Sequence, residues 1–346
     1  MCMTVSDSRG HTYRTFSHKR AYFSKMADWV YVTAAAVGVS VGIMVLRRLL
    51  NRNVLYKNHI FLTGKTVIVT GANCGIGKAT ALDFARRNAR IIMACRDLAK
   101  AEKAVMDIRK VTQDGQLIVK HLDLASLQSV RTFCEEIHKE EKQLDILINN
   151  AGVFKCPFSK TADGFEMQMG VNHFGHFLLT NLLLDLLKKS PSSRIVVVSS
   201  ALHKQGNINF DDINSDKEYS RSKAYADSKL ANIFFAQELS QRLKSSSVNI
   251  YCVHPGMVWT NLGRHVISPI VRWLVSPLAS LLIKSSHEGA QTVIYCSIDP
   301  ELNNETGLYY GNCKAEPWTP AAQNVDAAKK LWDLSESLTG LNKKIL

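Results

Sequence analysis

The sequence predicts an α/β domain built on a doubly wound parallel sheet, with a membrane-anchor helix ahead of it. Three observations lead there. Short β-branched runs alternate with longer amphipathic stretches from residue 64 onward. A glycine-rich turn joins the first such run to the first helical pattern. An uncharged apolar run precedes both.

That apolar run, WVYVTAAAVGVSVGIMVL over 29–46, holds eighteen residues without a charge, and Arg47, Arg48, Arg52 and Lys57 follow it. Such a length suits one membrane-spanning helix. The extension 1–28 before it and the dibasic pair after it argue against a cleaved signal peptide. Charge agrees with this reading: of a net +13, residues 1–57 carry +7, from nine Lys or Arg and two Asp. A nucleic-acid protein concentrates its charge in a patch on the folded domain. Here the charge flanks the apolar run, so membrane lipid is the expected partner and nucleic acid is not. Basic residues on the two sides of the run nearly balance. Initiation at Met26 would leave the N-side without Lys or Arg, and the positive-inside rule would then put the main domain in the cytosol. Glycosylation at Asn304, in Asn304-Glu305-Thr306, would contradict that placement. The eight cysteines are scattered, without a CxxC or a metal-ligand spacing, which predicts reduced thiols and no metal.

The strands are expected at 65–70, 89–95, 116–122, 144–149, 194–200 and 248–254, each apolar through its middle as strands buried on both faces are. Helical patterns lie between them, including 78–88, 176–189 and 229–243. Neither a repeat nor a Pro/Ser-rich linker interrupts 64–335, which reads as one domain.

After the first strand comes TGANCGIG, with Gly71, Gly75 and Gly77 around Asn73, Cys74 and Ile76. Glycines between a strand and a helix let the backbone turn tightly and approach a pyrophosphate at the helix N-terminus. The spacing is G-x-x-x-G-x-G, and a structural βα turn could also be this rich in glycine. At the end of the second strand stand Cys95, Arg96 and Asp97. An acid there would bind the ribose of NAD, and an arginine would accommodate the 2′-phosphate of NADP; Arg96 is the favoured contact. Asp123, after the third strand, contacts adenine or caps the helix that follows.

The stretch YSRSKAYADSK repeats a Tyr-to-Lys spacing of four, as Tyr219/Lys223 and Tyr225/Lys229. On a helix such residues share a face, and a neighbouring ammonium can lower a phenol's pKa. The apolar residues Leu230, Ile233, Phe234 and Leu239 follow the second pair at helical spacing. That puts Tyr225 and Lys229 on the first turn of a packed helix, with Tyr219 and Lys223 in a solvated loop or cap before it.

TGANCGIG at 70–77, Asn149-Asn150-Ala151-Gly152, Ser199-Ser200, YADSK at 225–229 and HPG at 254–256 occur in this order. Together they resemble the short-chain dehydrogenase/reductase family. The stretches DGFEMQMGVNHFGHFLLTNLLL and SKLANIFFAQELSQRL are more similar still to its retinol dehydrogenases of types 11 to 14. The resemblance implies a Rossmann-like sheet of about seven parallel strands, a bound nicotinamide nucleotide and homodimers paired through helices beside the site. It implies Tyr225 as general acid for reduction and general base for oxidation, and Lys229 as the cation beside it that also holds the nicotinamide ribose. Ser200 would donate to the developing oxyanion, with Ser199 its competitor. Asn172 would orient a water toward Lys229, or else be a helix-internal Asn bonding a local carbonyl. Asn150, Pro255 and Thr260 would line the NADP(H) site. His173 and His176 read as packing or surface residues, since no third metal ligand accompanies them.

Residues 266–283, rich in Val, Ile, Leu and Trp, suit a lid over an apolar substrate, a segment dipping into a membrane interface, or plain core packing. With an anchor holding the site at a bilayer, the expected substrate is a lipophilic alcohol or aldehyde. The resemblance makes it a retinoid, with the domain at the endoplasmic reticulum facing the cytosol. The same chemistry on a steroid or lipid aldehyde, and an idle nucleotide-binding scaffold, are the alternatives.

Overall fold

The computed structural model of the chain describes residues 28–42, 45, 54–260, 262 and 283–341. Two units are present, Met1–Arg52 and Asn53–Leu346. In the first, residues 28–42 form a helix, α1, with Trp29, Val30, Tyr31 and Val32 exposed. Among the described residues no helix is long and apolar enough to cross a membrane. Residues 43, 44 and 46 of the expected span, the extension 1–27 and almost all of the apolar segment 266–283 lie outside the described residues.

In the second unit, the strand–helix alternation read from the sequence becomes β1 (Thr66–Thr70), α2 (Gly75–Arg86), β2 (Arg90–Cys95), α3 (Leu98–Arg109), β3 (Gln116–His121), α4 (Leu127–Glu140) and β4 (Ile146–Asn149). Then come α5 (Met167–Met169), a π turn (Gly170–Phe174), α6 (Gly175–Leu182), α7 (Leu184–Lys189), β5 (Ser193–Val198), α8 (Arg221–Arg242) and β6 (Val248–His254). The chain closes with α9 (Ser286–Ile298), β7 (Leu308–Gly311), β8 (Lys314–Glu316) and α10 (Val325–Thr339).

Among the described residues the sheet has eight strands in the order β3-β2-β1-β4-β5-β6-β7-β8. The first seven run parallel, and β8 returns antiparallel to β7. The expectation of about seven parallel strands thus gains an eighth, antiparallel one at the edge. Successive residues of a strand point to opposite faces, and here both faces are dry. Ile68, Leu147, Ile195 and Ile250 join one core with Phe133 of α4, Phe177 of α6, Phe234 of α8 and Trp332 of α10. Val67, Val69, Ile148 and Val253 join the other with Phe84 of α2, Ile108 of α3 and Val293 of α9. Each such side chain contributes roughly 1.5–3 kcal/mol by leaving water.

One expectation needs correction. The catalytic-loop helix begins at Arg221, not near Tyr225, because Ser220 caps it by accepting from the Lys223 amide. Lys223 is therefore helical, and Tyr225 lies in the second turn. The first turns bury small and polar residues such as Ala224, Ala226 and Ser228, so no apolar stripe announces them.

The C-terminal helix α10 lies on α8 and α6. Trp332 stacks on Phe235 at 6.0 Å between ring centroids and meets Phe177 edge-on at 4.9 Å. Its last carbonyls, on Thr339 and Gly340, accept from Arg131 Nη2 of α4 at 2.9 Å each. At the other end, residues 54–62 already belong to the domain. The Tyr56 amide donates to Gln291 of α9, and Arg87 donates to the carbonyls of Asn58 and Ile60.

At the N-terminal end of the strands one carboxylate ties three elements together. Asp145, buried before β4, accepts from the Thr66 amide at 2.9 Å, Lys65 Nζ at 2.9 Å and Ser190 Oγ at 2.7 Å. Asp145→Ala should leave the buried Thr66 amide and Ser190 hydroxyl unpaired and destabilise the domain by about 2–3 kcal/mol. The midpoint of urea unfolding measures this, and a shift under a quarter of that size would refute the assignment.

Candidate active site

The strand order reverses between β1 and β4, the switch point outside which doubly wound sheets bind ligands. The glycine loop fills the near side of it. Gly71 and Gly75 adopt φ of 65° and 59°, a region that side chains with a Cβ resist. At Gly77 a Cβ would lie 2.5 Å from the Gly71 carbonyl oxygen and 2.6 Å from Asn150 Nδ2. Cys74, exposed, precedes α2 without a side-chain cap bond, and Ile76 packs into the core behind. A Cβ on Gly75 would touch Thr260 at 3.2 Å, so Thr260 and the loop adjoin; Asn73 and Pro255 are half-buried at the same rim. These features fit a pyrophosphate approached by bare backbone at a helix N-terminus.

One hydroxyl organises this corner. Thr70 Oγ1 accepts from the amides of Asn150 and Ala151, both at 2.9 Å. Asn150 Nδ2 donates back to the Thr70 carbonyl at 2.8 Å. The sequence reading named Asn150 but missed Thr70, whose role exists only because β1 and β4 are neighbours.

At the end of β2 the two charges separate. Asp97 caps α3, accepting from the Lys100 amide at 3.0 Å and pairing with its ammonium at 2.6 Å. Arg96 is exposed and makes no hydrogen bond among the described residues. Asp123 is not the cap of α4, since Ser126 takes that position. Its carboxylate instead accepts from the Ala125 amide two residues on, at 2.9 Å.

The four residues of the expected catalytic set come together at the ends of β4 and β5. Tyr225 is 4% exposed and packs edge-on against Phe154, 4.6 Å between centroids. Ser200 is half-buried, with its hydroxyl beside that of Tyr225, whose pKa it lowers. Its Oγ accepts from the Leu202 amide at 3.2 Å. Ser199 points elsewhere, donating at 2.8 Å to the Lys229 carbonyl and so pinning α8 to β5. Lys229 Nζ donates to the Val198 carbonyl at 3.0 Å and lies 5.7 Å from the Tyr225 ring centre.

The electrostatics depart from expectation. Burial pushes the Tyr225 hydroxyl up to about 12, with the Ser200 hydrogen bond pulling the other way. Burial lowers the Lys229 ammonium to about 8, against a smaller opposing effect of Cys252. Desolvation disfavours both charged forms, and the ammonium is turned to a carbonyl and not to the phenol. The phenol's pKa therefore goes up where the sequence spacing suggested down.

Asn172 sits in the π turn, a rare geometry that recurs at functional sites. Its side chain is fully engaged: Oδ1 accepts from the Val153 amide at 2.8 Å, and Nδ2 donates to the Val153 carbonyl at 3.1 Å and Ser228 Oγ at 2.9 Å. A Cβ on Gly152 would lie 3.0 Å from Asn172 Oδ1 and 3.7 Å from Lys229 Nζ, so the three crowd together. His173 and His176 are both buried, not surface residues.

The other Tyr/Lys pair is occupied structurally. Tyr219 donates to the Cys156 carbonyl at 2.8 Å and accepts from Gln168 Nε2 at 3.0 Å. Lys223 pairs with Asp227 on its own helix.

A doubly wound sheet with a glycine-lined turn at its switch point defines a nucleotide-binding α/β protein. The sequence profile of the short chain dehydrogenase family matches residues 65–269, and the chain belongs to that family of NAD(P)-dependent oxidoreductases acting on CH–OH groups. It is 54% identical over 297 residues to retinol dehydrogenase 14 of Homo sapiens, covering 81% of this chain and 88% of that one. It is 49% identical to retinol dehydrogenase 11 of Mus musculus, over 86% of this chain and 92% of that one. Among solved structures, an uncharacterized protein of Mycobacterium Paratuberculosis superposes with a TM-score of 0.65 at 37% identity, covering 81% of this chain and 95% of the other. A protein of Escherichia coli CFT073 complexed with NADPH gives 0.59 over 74% and 99% of the chains; at 22% identity that likeness shows the fold alone.

Gly77→Ala tests the cradle. Its Cβ meets a backbone carbonyl that cannot turn aside, and overpacking of this kind costs about 1–3 kcal/mol. Nucleotide affinity, followed by fluorescence titration, should fall by roughly tenfold or more; unchanged affinity would place the nucleotide elsewhere.

Proposed function

We propose that the protein is a membrane-anchored NADP(H)-dependent oxidoreductase interconverting retinol and retinal, with Tyr225 as general acid and base. The observation that carries this reading is the buried Tyr225, with Lys229 Nζ 5.7 Å from its ring and the half-buried Ser200 hydroxyl beside its own, near the crevice that the glycine loop lines. The relatives named retinol dehydrogenases support the substrate class.

Gly71, Asn73, Cys74, Gly75, Ile76 and Gly77 would hold the pyrophosphate, with Asn150, Asp123, Pro255 and Thr260 lining the rest of the nucleotide. The preference for NADP(H) rests on Arg96, exposed beside an Asp97 that is spent on capping α3. When bound, the nicotinamide supplies or accepts the hydride at the substrate carbon.

The remaining work belongs to the chain. A phenol held near 12 is protonated at neutral pH, so the resting site is an acid ready to protonate a carbonyl oxygen. Ser200 Oγ takes an incoming bond from the Leu202 amide, and its one proton, turned to the Tyr225 oxygen in the resting site, would turn to a bound substrate oxygen as that oxygen gains charge. Lys229 spends one of its three protons on Val198, leaving two for ribose hydroxyls. Asn172 braces Val153 and Ser228, and a water held between it and Lys229 would pass protons to the ammonium.

Residues 29–46 are proposed as the anchor, at the endoplasmic reticulum with the domain 64–335 facing the cytosol. Helix α1 with its exposed aliphatic and aromatic side chains supports this. An apolar retinoid would reach the site from the bilayer.

Purified protein with NADPH should reduce all-trans-retinal faster than a steroid ketone or a medium-chain aldehyde, product being measured by chromatography; faster turnover of either competitor would overturn the retinoid reading. Tyr225→Phe should abolish turnover while NADPH affinity stays within about twofold, and Tyr219→Phe should change neither. Full activity in the Tyr225 variant would sink the acid–base assignment. pH adds a directional check. Reduction uses the protonated phenol and should be flat between about pH 6 and 7, falling as the Lys229 ammonium titrates near 8, while oxidation needs the phenolate, whose fraction grows roughly tenfold per unit below its pKa. An oxidation rate that fails to rise with pH would point to another base.

A further inference from the structure

His176 opens α6 one turn after Asn172, and its ring is buried between two parts of the site. Nδ1 lies 3.1 Å from the Asn172 carbonyl oxygen and Nε2 lies 3.0 Å from Thr70 Oγ1. The positions of the protons follow by elimination. A carbonyl only accepts, so Nδ1 carries the hydrogen, and in a neutral ring Nε2 must then accept. The donor to Nε2 is the Thr70 hydroxyl, whose lone pairs already receive the amides of Asn150 and Ala151. The Ile148 carbonyl, 3.2 Å from the same hydroxyl, competes for that proton. Giving it the proton would leave a buried imidazole lone pair unpaired, which costs about 1–3 kcal/mol. Burial holds the ring's pKa near 3, with the Lys229 charge pushing the same way, so it stays neutral at any working pH.

We infer that His176 is a positioning residue, a neutral Nδ1–H tautomer that fixes the Asn172 carbonyl in the π turn and, through the Thr70 hydroxyl, the Asn150–Ala151 corner against the glycine loop. One side chain thus sets the relative placement of the nucleotide cradle and the catalytic helix. The inference rests on the site assignment proposed above.

Two half-mimics separate the two bonds. The amide nitrogen of Asn can stand where Nδ1 stands, and the amide oxygen of Gln where Nε2 stands. His176→Asn should keep turnover near the native value and weaken NADPH binding about tenfold, the loss expected of one buried hydrogen bond. His176→Gln should do the reverse, with kcat down about tenfold and NADPH affinity retained. His176→Phe should lose both. Thr70→Val removes the hydroxyl from the other end and also strips the Asn150 and Ala151 amides of their acceptor, so it should weaken NADPH binding more than His176→Asn does. NADPH affinity is read by fluorescence without turnover, and kcat with whichever carbonyl the native protein reduces, so a failed retinoid assignment does not mask the result. In native protein with 15N-labelled histidine, the His176 shifts should report the Nδ1–H tautomer. Asn and Gln variants that are alike in both quantities, whether both native-like or both damaged, would overturn the inference, as would an Nε2–H tautomer.

Discussion

A parallel sheet covered by helices on both faces leaves polar chemistry only one place to go. Ile68 and Val69 face opposite cores and neither sees water, and the same holds along β4, β5 and β6. Polar groups are pushed to the rim where strands end, and Thr70, Asn150 and Ser200 all stand there. The order of the strands then decides which rim residues meet. Because β1 lies beside β4 and β4 beside β5, the glycine loop, the Asn150 corner and the Ser200 hydroxyl converge without any long loop to carry them.

Burial also governs the charges at that rim. A tyrosine and a lysine one helical turn apart suggest mutual stabilisation of their ions, but both are nearly inaccessible, and desolvation outweighs the attraction. The phenol moves up and the ammonium down. Both groups shift toward neutrality, in keeping with the proton transfer proposed above. The polar atoms around them are almost all spoken for: Ser199, Asn172, Ser228 and Asn232 each bond a named partner. Such saturation fixes geometry more firmly than any single strong bond could.

Much of this was legible in the residues themselves. Five of the six strands showed as apolar runs because both faces are buried; β3, at the sheet edge, is only partly covered, and each of the six falls within two residues of its expected start. The Tyr225/Lys229 pair was separable from Tyr219/Lys223 by the apolar stripe that follows it. What stayed hidden depends on tertiary contact. β7 and β8 are only four and three residues long, and the turn between them uses Asn312 and Cys313 at positive φ with none of the usual glycine. The start of α8 is masked because Arg221, Ser222 and Lys223 are exposed and the buried residues after them, Ala224, Ala226 and Ser228, are small. Thr70 and His176 lie inside quoted motifs, but their roles arise only where β1, β4 and α6 touch. The upward shift of Tyr225 could not be read from spacing, because spacing says nothing of solvent.

The seat of α10 has a practical corollary. Phe177 and Phe235 owe their dryness to Trp332, and Arg131 satisfies the last carbonyls of that helix. A chain shortened to end before Val325 would keep every residue assigned to nucleotide and proton handling, yet carry a bare aromatic strip along the back of its catalytic helix. Uncovered strips of this kind drive clumping in solution, so recombinant fragments trimmed from that end would be lost to aggregation before any defect in chemistry could be seen.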